Sequence, residues 1–190
     1  MTRNKDFDTD ESIEAEMQQM MDKLIIPMRE NGDVRMTALL YPDLENCPPE
    51  IREQCSETGQ APMMVLPEQP NMNSKEDFYD ALSHMTQELK VHNVIFFADS
   101  WVLVKERKNM ENEIDGYNSV SEHPESKDAL MMEYIGTDGQ GILMKRAVCT
   151  LIYEMKNDEL VEIERKFLIH ENDGSIRSAI ADAVSNKQWA

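Results

Sequence analysis

The sequence predicts an α+β fold: a single domain whose antiparallel β-sheet, run as a meander, packs against helices in the order α-β-(β)-α-β-β-β-β-α. Three observations carry this. Two short turns, Gly136-Thr137-Asp138-Gly139-Gln140-Gly141 and Asn157-Asp158, separate three runs of strand character, and turns this short make their flanking strands antiparallel neighbours. Val91–Lys105, VHNVIFFADSWVLVK, is apolar on both faces around Val94–Phe97 and marks a central strand. Apolar residues at helical spacing recur near both ends of the chain and before that strand.

Residues 1–8 are expected to be a flexible N-terminus, with the single domain over 9–190. Asp8 or Thr9 can cap a first helix, and Asp10, Glu11 and Glu14 suit its positive end. Ile13, Met17, Met20, Met21, Leu24 and Ile25 form its apolar stripe, and Pro27 with the Glu30-Asn31-Gly32-Asp33 turn is expected to stop it. Val34–Tyr41 alternates as a strand. Residues 43–61, with Pro48-Pro49, read as the least regular part of the chain. Met63–Leu66, boxed by Pro62 and Pro67, fits only a sheet edge. Ser74 caps a second helix with Asp77 three residues on, and Phe78, Leu82, Met85 and Leu89 face inward.

After the central strand, 106–128 is a long polar excursion, of a length that is functional or disordered in compact domains. Ala129–Ile135, Ile142–Met155 and Leu160–Ile169 follow as strands. Ser175 starts a last helix with Ile176, Ile180 and Val184 inward. The length of 190 residues suits one core, and the 15 Met compensate for an aromatic fraction of only 6%.

The net charge of −18 is spread along the chain without an acidic tail or basic block. Such a field argues against direct nucleic-acid binding and favours solubility. Cys47, Cys55 and Cys149 are odd in number and lack CxxC spacing, which predicts reduced thiols in a cytoplasmic protein. No signal peptide is expected, and the longest apolar run, Val94–Ala98, is too short to cross a membrane.

Chemistry-bearing residues do not converge in the sequence. His84, His92, His123 and His170 share no ligand spacing with one another or with the cysteines, so no metal and no cofactor is expected. Asp43 with Glu125 and Lys127 spells a distant PD…ExK pattern, but turn chemistry and a solvated Glu/Lys pair explain the same letters. Ser100, Ser119, Ser121 or Cys149 could be served by His123, yet no nucleophile elbow is present, and no catalytic residue is assigned. The turn at Gly136–Gly141 opens no helix and cradles no phosphate. Asp99 interrupts an apolar strand and must be solvated, paired or hydrogen-bonded. Beside Trp101 it could frame a polar pocket, and SVSEHPESKDALMM, Ser119–Met132, could fold back onto it. Asp99, Trp101, Glu122, His123 and Asp128 are therefore the candidate binding residues. Pro124 holds His123 extended, which suits a turn feeding the next strand.

The succession Asp99-Ser100-Trp101, Ser121-Glu122-His123-Pro124, Lys127-Asp128-Ala129-Leu130 and Asp138-Gly139 resembles a family of small uncharacterised bacterial and phage proteins. Their pattern is an acid-Ala/Ser-Trp triplet followed by a SEHP-type segment, a strand and a DG turn. The resemblance spans about residues 75–155 and implies a bacterial or phage origin without implying an activity. The function expected is that of a non-catalytic interaction protein, meeting a protein partner or a second copy of itself. The alternatives are an acidic DNA-mimic that occupies a DNA-binding protein, and a hydrolase using Asp99, Glu122, His123 or Asp128.

Overall fold

The computed structural model describes residues 9–31, 34–69, 72, 74–102, 120–140, 142–157, 159–171 and 179–184. The expected flexible 1–8, the strand end 103–105, the loop as far as residue 119 and the helix start at Ser175 lie outside them.

One antiparallel sheet of six strands organises the chain: β1 (Thr37–Pro42), β2 (Met64–Pro67), β3 (Val91–Val102), β4 (Lys127–Thr137), β5 (Leu143–Lys156) and β6 (Glu159–Glu171). Their order across the sheet is β2-β1-β3-β4-β5-β6. The run β3-β4-β5-β6 is the expected meander, and β3 is central, as its two-faced apolar composition requires. Proline-boxed β2 forms one edge.

Helices cover both faces of the sheet. α1 (Asp10–Asn31) packs on β4, β5 and β6 through Ile13, Met17 and Met21, against Leu130, Met132, Cys149, Leu151 and Leu160. Each fully buried side chain of this size contributes roughly 1.5–3 kcal/mol. On the other face α3 (Lys75–Glu88) and α4 (Ala179–Val184) lie together, with Phe78, Leu82, Ile180 and Val184 against Ala38, Leu40, Val94, Phe96 and Ile135. Alternation along the strands supplies both cores: Ile95 faces α1, while Val94 and Phe96 face α3.

Thr9 is the cap of α1, its hydroxyl accepting the Ser12 N–H at 3.2 Å while Ser12 Oγ accepts the Thr9 N–H at 3.0 Å. Ser74 caps α3 by accepting the Asp77 N–H at 3.3 Å. Three expectations need correction. α1 runs through Pro27, although it does end at Asn31, within the expected Glu30–Asp33 turn; an interior proline costs about 3 kcal/mol, and the docked apolar stripe is large enough to outweigh it. Part of 43–61 is ordered, as a 3-10 turn (Leu44–Asn46) and α2 (Pro49–Thr58). Pro49 fills the first helical turn, where its missing N–H is harmless, and Gly59 closes the helix at φ 69°. The buried stripe of α3 is Phe78, Leu82 and Thr86, with Met85 and Leu89 only partly covered.

Candidate interaction surface

The strand register decides which candidate residues meet. Trp101 lies opposite Asp128, and Asp99 lies opposite Leu130, so Asp99, Trp101 and Asp128 project on the same face at one end of the β3–β4 pair. Tyr153, reaching this corner from β5, donates its hydroxyl to Asp99 Oδ1 at 3.1 Å. This is the partner that a carboxylate in an apolar strand needs. Burial pushes the Tyr153 phenol up, and the charge of Asp99, its hydrogen bond to Tyr153 and then the charge of Asp128 push it further. The ring is buried and protonated, whereas both carboxylates are exposed and Trp101 keeps 51% of its surface in solvent. Strand alternation puts Asp99 and Trp101 on one face; Asp128 and Tyr153 join them through the pairing of β4 with its neighbours, Trp101 opposite Asp128 and Leu151, two residues before Tyr153, opposite Leu130.

The SEHP segment is a compact turn lying against β3. Val120–Glu122 forms a 3-10 turn that contacts this strand, and Lys127 opens β4, two residues earlier than expected. Glu122 is exposed. His123 is buried, its Nδ1 accepting the Glu125 N–H at 3.1 Å and its carbonyl accepting the Ser126 N–H at 2.9 Å. These bonds shape the turn that delivers Asp128 to its place opposite Trp101.

The PD…ExK pattern does not assemble. Asp43 follows Pro42, which pairs with Val91 at the start of β3, whereas Lys127 pairs with Val102 at its end. A strand of this length, about 3.3 Å per residue, holds the two apart by about 35 Å. Asp43 instead meets His92, Oδ2 to Nε2, at 3.0 Å. Among the described residues no three His, Cys, Asp or Glu side chains group as metal ligands. Cys149 is buried beneath α1, and burial pushes its thiol up to about 11, away from nucleophilic thiolate.

Sequence reasoning missed one buried polar pair. Arg146 Nε donates to Glu133 Oε1 at 2.6 Å on the face covered by α3 and α4. A charge of each sign inside neighbouring apolar strands, MMEYIG and MKRAVC, is the signal that was available. Among the described residues no helix is long and apolar enough to cross a membrane. Comparison with family models, curated proteins and solved structures finds no match to this chain, so its reading rests on its own residues.

Proposed function

We propose that the protein is a non-catalytic interaction protein of the cytoplasm, and that the Asp99–Trp101–Asp128 corner receives a cationic segment of a protein partner. The observation that supports this most directly is the half-exposed Trp101 set opposite Asp128 and on the same face as Asp99. An exposed indole beside carboxylates suits an Arg or Lys side chain, through cation–π contact with the ring and ion pairing with the acids. The net charge of −18 draws basic partners toward the molecule. The three free cysteines fit a reducing compartment.

The test reads Trp101 fluorescence in a Trp189→Phe background, titrated with arginine-rich, neutral and acidic peptides at physiological salt. The expected result is a saturable change with the arginine-rich peptide alone. Asp128→Asn should weaken it by about tenfold, as removal of one well-placed charge does. Neutralising a remote exposed acid, Asp80→Asn, should leave it unchanged. An equal response to neutral peptides, or equal effects of the two substitutions, would falsify the proposal.

A further inference from the structure

The two edges of the sheet are protected very differently. β2 spans only Met64–Pro67, and Pro67 closes it. β6 runs for thirteen residues without a proline and, among the described residues, hydrogen-bonds to a neighbouring strand only on its β5 side. A strand edge of that length is a template for another strand. Its charges and its bulge would reject most partners, so the partner must match them.

The pattern of β6 matches itself. On the face turned away from α1, Glu164 and Lys166 stand two residues apart, both half-exposed, with Glu164 Oε1 and Lys166 Nζ at 3.2 Å. Laid antiparallel against a second β6 about a two-fold axis at Arg165, each Glu164 falls opposite the other copy's Lys166. Four charges then alternate in sign around the axis. The register on β5 passes from Ile152↔Glu164 to Tyr153↔Glu162, so Ile163 is the bulged residue. The same one-residue offset carried across the axis brings Val161 opposite Leu168, both exposed on that face and Leu168 by 55%. At the axis each Arg165 already has its own carboxylates, Asp22 at 2.8 Å and Glu162 at 3.0 Å, so the two guanidiniums meet as neutralised groups.

We infer that β6 pairs antiparallel with β6 of a second copy of this chain, joining two sheets into one about an axis at Arg165. The charges that blunt the edge against other strands set the register of this one. The pairing is separate from the Trp101 corner and does not depend on its role. Mutual repulsion of two acidic copies is confined to roughly 8 Å at physiological salt, which leaves the local Glu164–Lys166 contacts to decide.

Sedimentation velocity on the full chain over a concentration series at physiological salt tests this. The parent is expected to be dimeric. Lys166→Glu and Glu164→Lys should each weaken self-association by about tenfold or more, since each sets like charges opposite one another twice. An equimolar mixture of the two variants should recover the dimer, as should the double swap E164K/K166E, because both restore opposite signs across the axis. Leu168→Glu should dissociate it, and Trp101→Ala should have no effect. Both charge positions are exposed, and unchanged circular dichroism confirms that the variants fold. A monomeric parent, single variants that remain dimeric, or a mixture that fails to recover would overturn the inference.

Discussion

Arg146 and Glu133 form an ion pair, 2.6 Å from Nε to Oε1, inside the sheet face covered by α3 and α4, with the Glu133 side chain only 1% exposed. Glu133 lies diagonally across the β4–β5 ladder from Arg146, which pairs directly with Ile135. Two charges withdrawn from water are tolerated here because each neutralises the other. Removing one partner strips the other of its buried ion pair, a loss of about 3–5 kcal/mol. Glu133→Gln or Arg146→Met should therefore lower the urea midpoint strongly. The double variant E133L/R146M should be less damaging than the sum of the singles, and a strictly additive double variant would show that the two charges act independently.

Alkaline stability should depend on Tyr153 and Cys149. Tyr153 is raised above its ordinary value of 10.0 by burial, then by the charge of Asp99 and the bond to it. Cys149 is raised from 9.0 to about 11, chiefly by burial. A group whose folded value is raised stabilises the fold fully below its unfolded value and loses that contribution as pH rises through the folded one. Stability should begin to fall above pH 9, from Cys149 first, at up to roughly 1.4 kcal/mol per pH unit for each proton concerned. Tyr153 adds its share above pH 10. Denaturant midpoints between pH 7 and 11 should fall less steeply for Cys149→Ala and Tyr153→Phe; slopes equal to the parent's would locate the alkaline loss elsewhere.

Much of the fold was legible because its signals are local. The two tight turns define the meander, the apolar run Val94–Phe97 marks the central strand, and the α1 stripe is a matter of spacing. What escaped depends on contacts distant in sequence. Pro27 argues for a helix end until the docked stripe is weighed against it, and α2 was hidden because it buries none of its residues. At the candidate site, alternation alone puts Asp99 and Trp101 on one face. The arrival of Tyr153 depends on the β4–β5 register, which sets Leu151 opposite Leu130, and the buried bonding of His123 on a turn geometry that spacing does not specify.

Gly139 is expected to be far less replaceable than Gly59, although both hold positive φ, 79° and 69°. A left-handed conformation costs an alanine about 1–2 kcal/mol at either site. At Gly59 a Cβ meets nothing within 4 Å, so Gly59→Ala should cost only that. At Gly139 it would lie 2.4 Å from His92 Cε1, and the ring could yield only by disturbing its contact with Asp43. Gly139→Ala should cost distinctly more in thermal or urea unfolding, and His92→Ala should reduce that excess. Equal losses at the two glycines would rule out the ring as its source.

The three thiols should react with Ellman's reagent in the order Cys55, Cys47, Cys149. Cys55 is half-buried on α2, while Cys47 and Cys149 are buried and both raised by that burial. The two buried thiols differ in what must open to expose them. Cys47 donates to the Asp43 carbonyl at 3.4 Å and precedes α2, which buries none of its own residues, so a local opening suffices. Cys149 lies in β5 between β4 and β6 and beneath α1, so its exposure requires the sheet to come apart. Its labelling rate should follow the global unfolding equilibrium and rise with urea, whereas Cys47 labelling should be nearly insensitive to low urea. Cys149 labelling that is rapid and independent of denaturant would mean that α1 leaves the sheet without global unfolding.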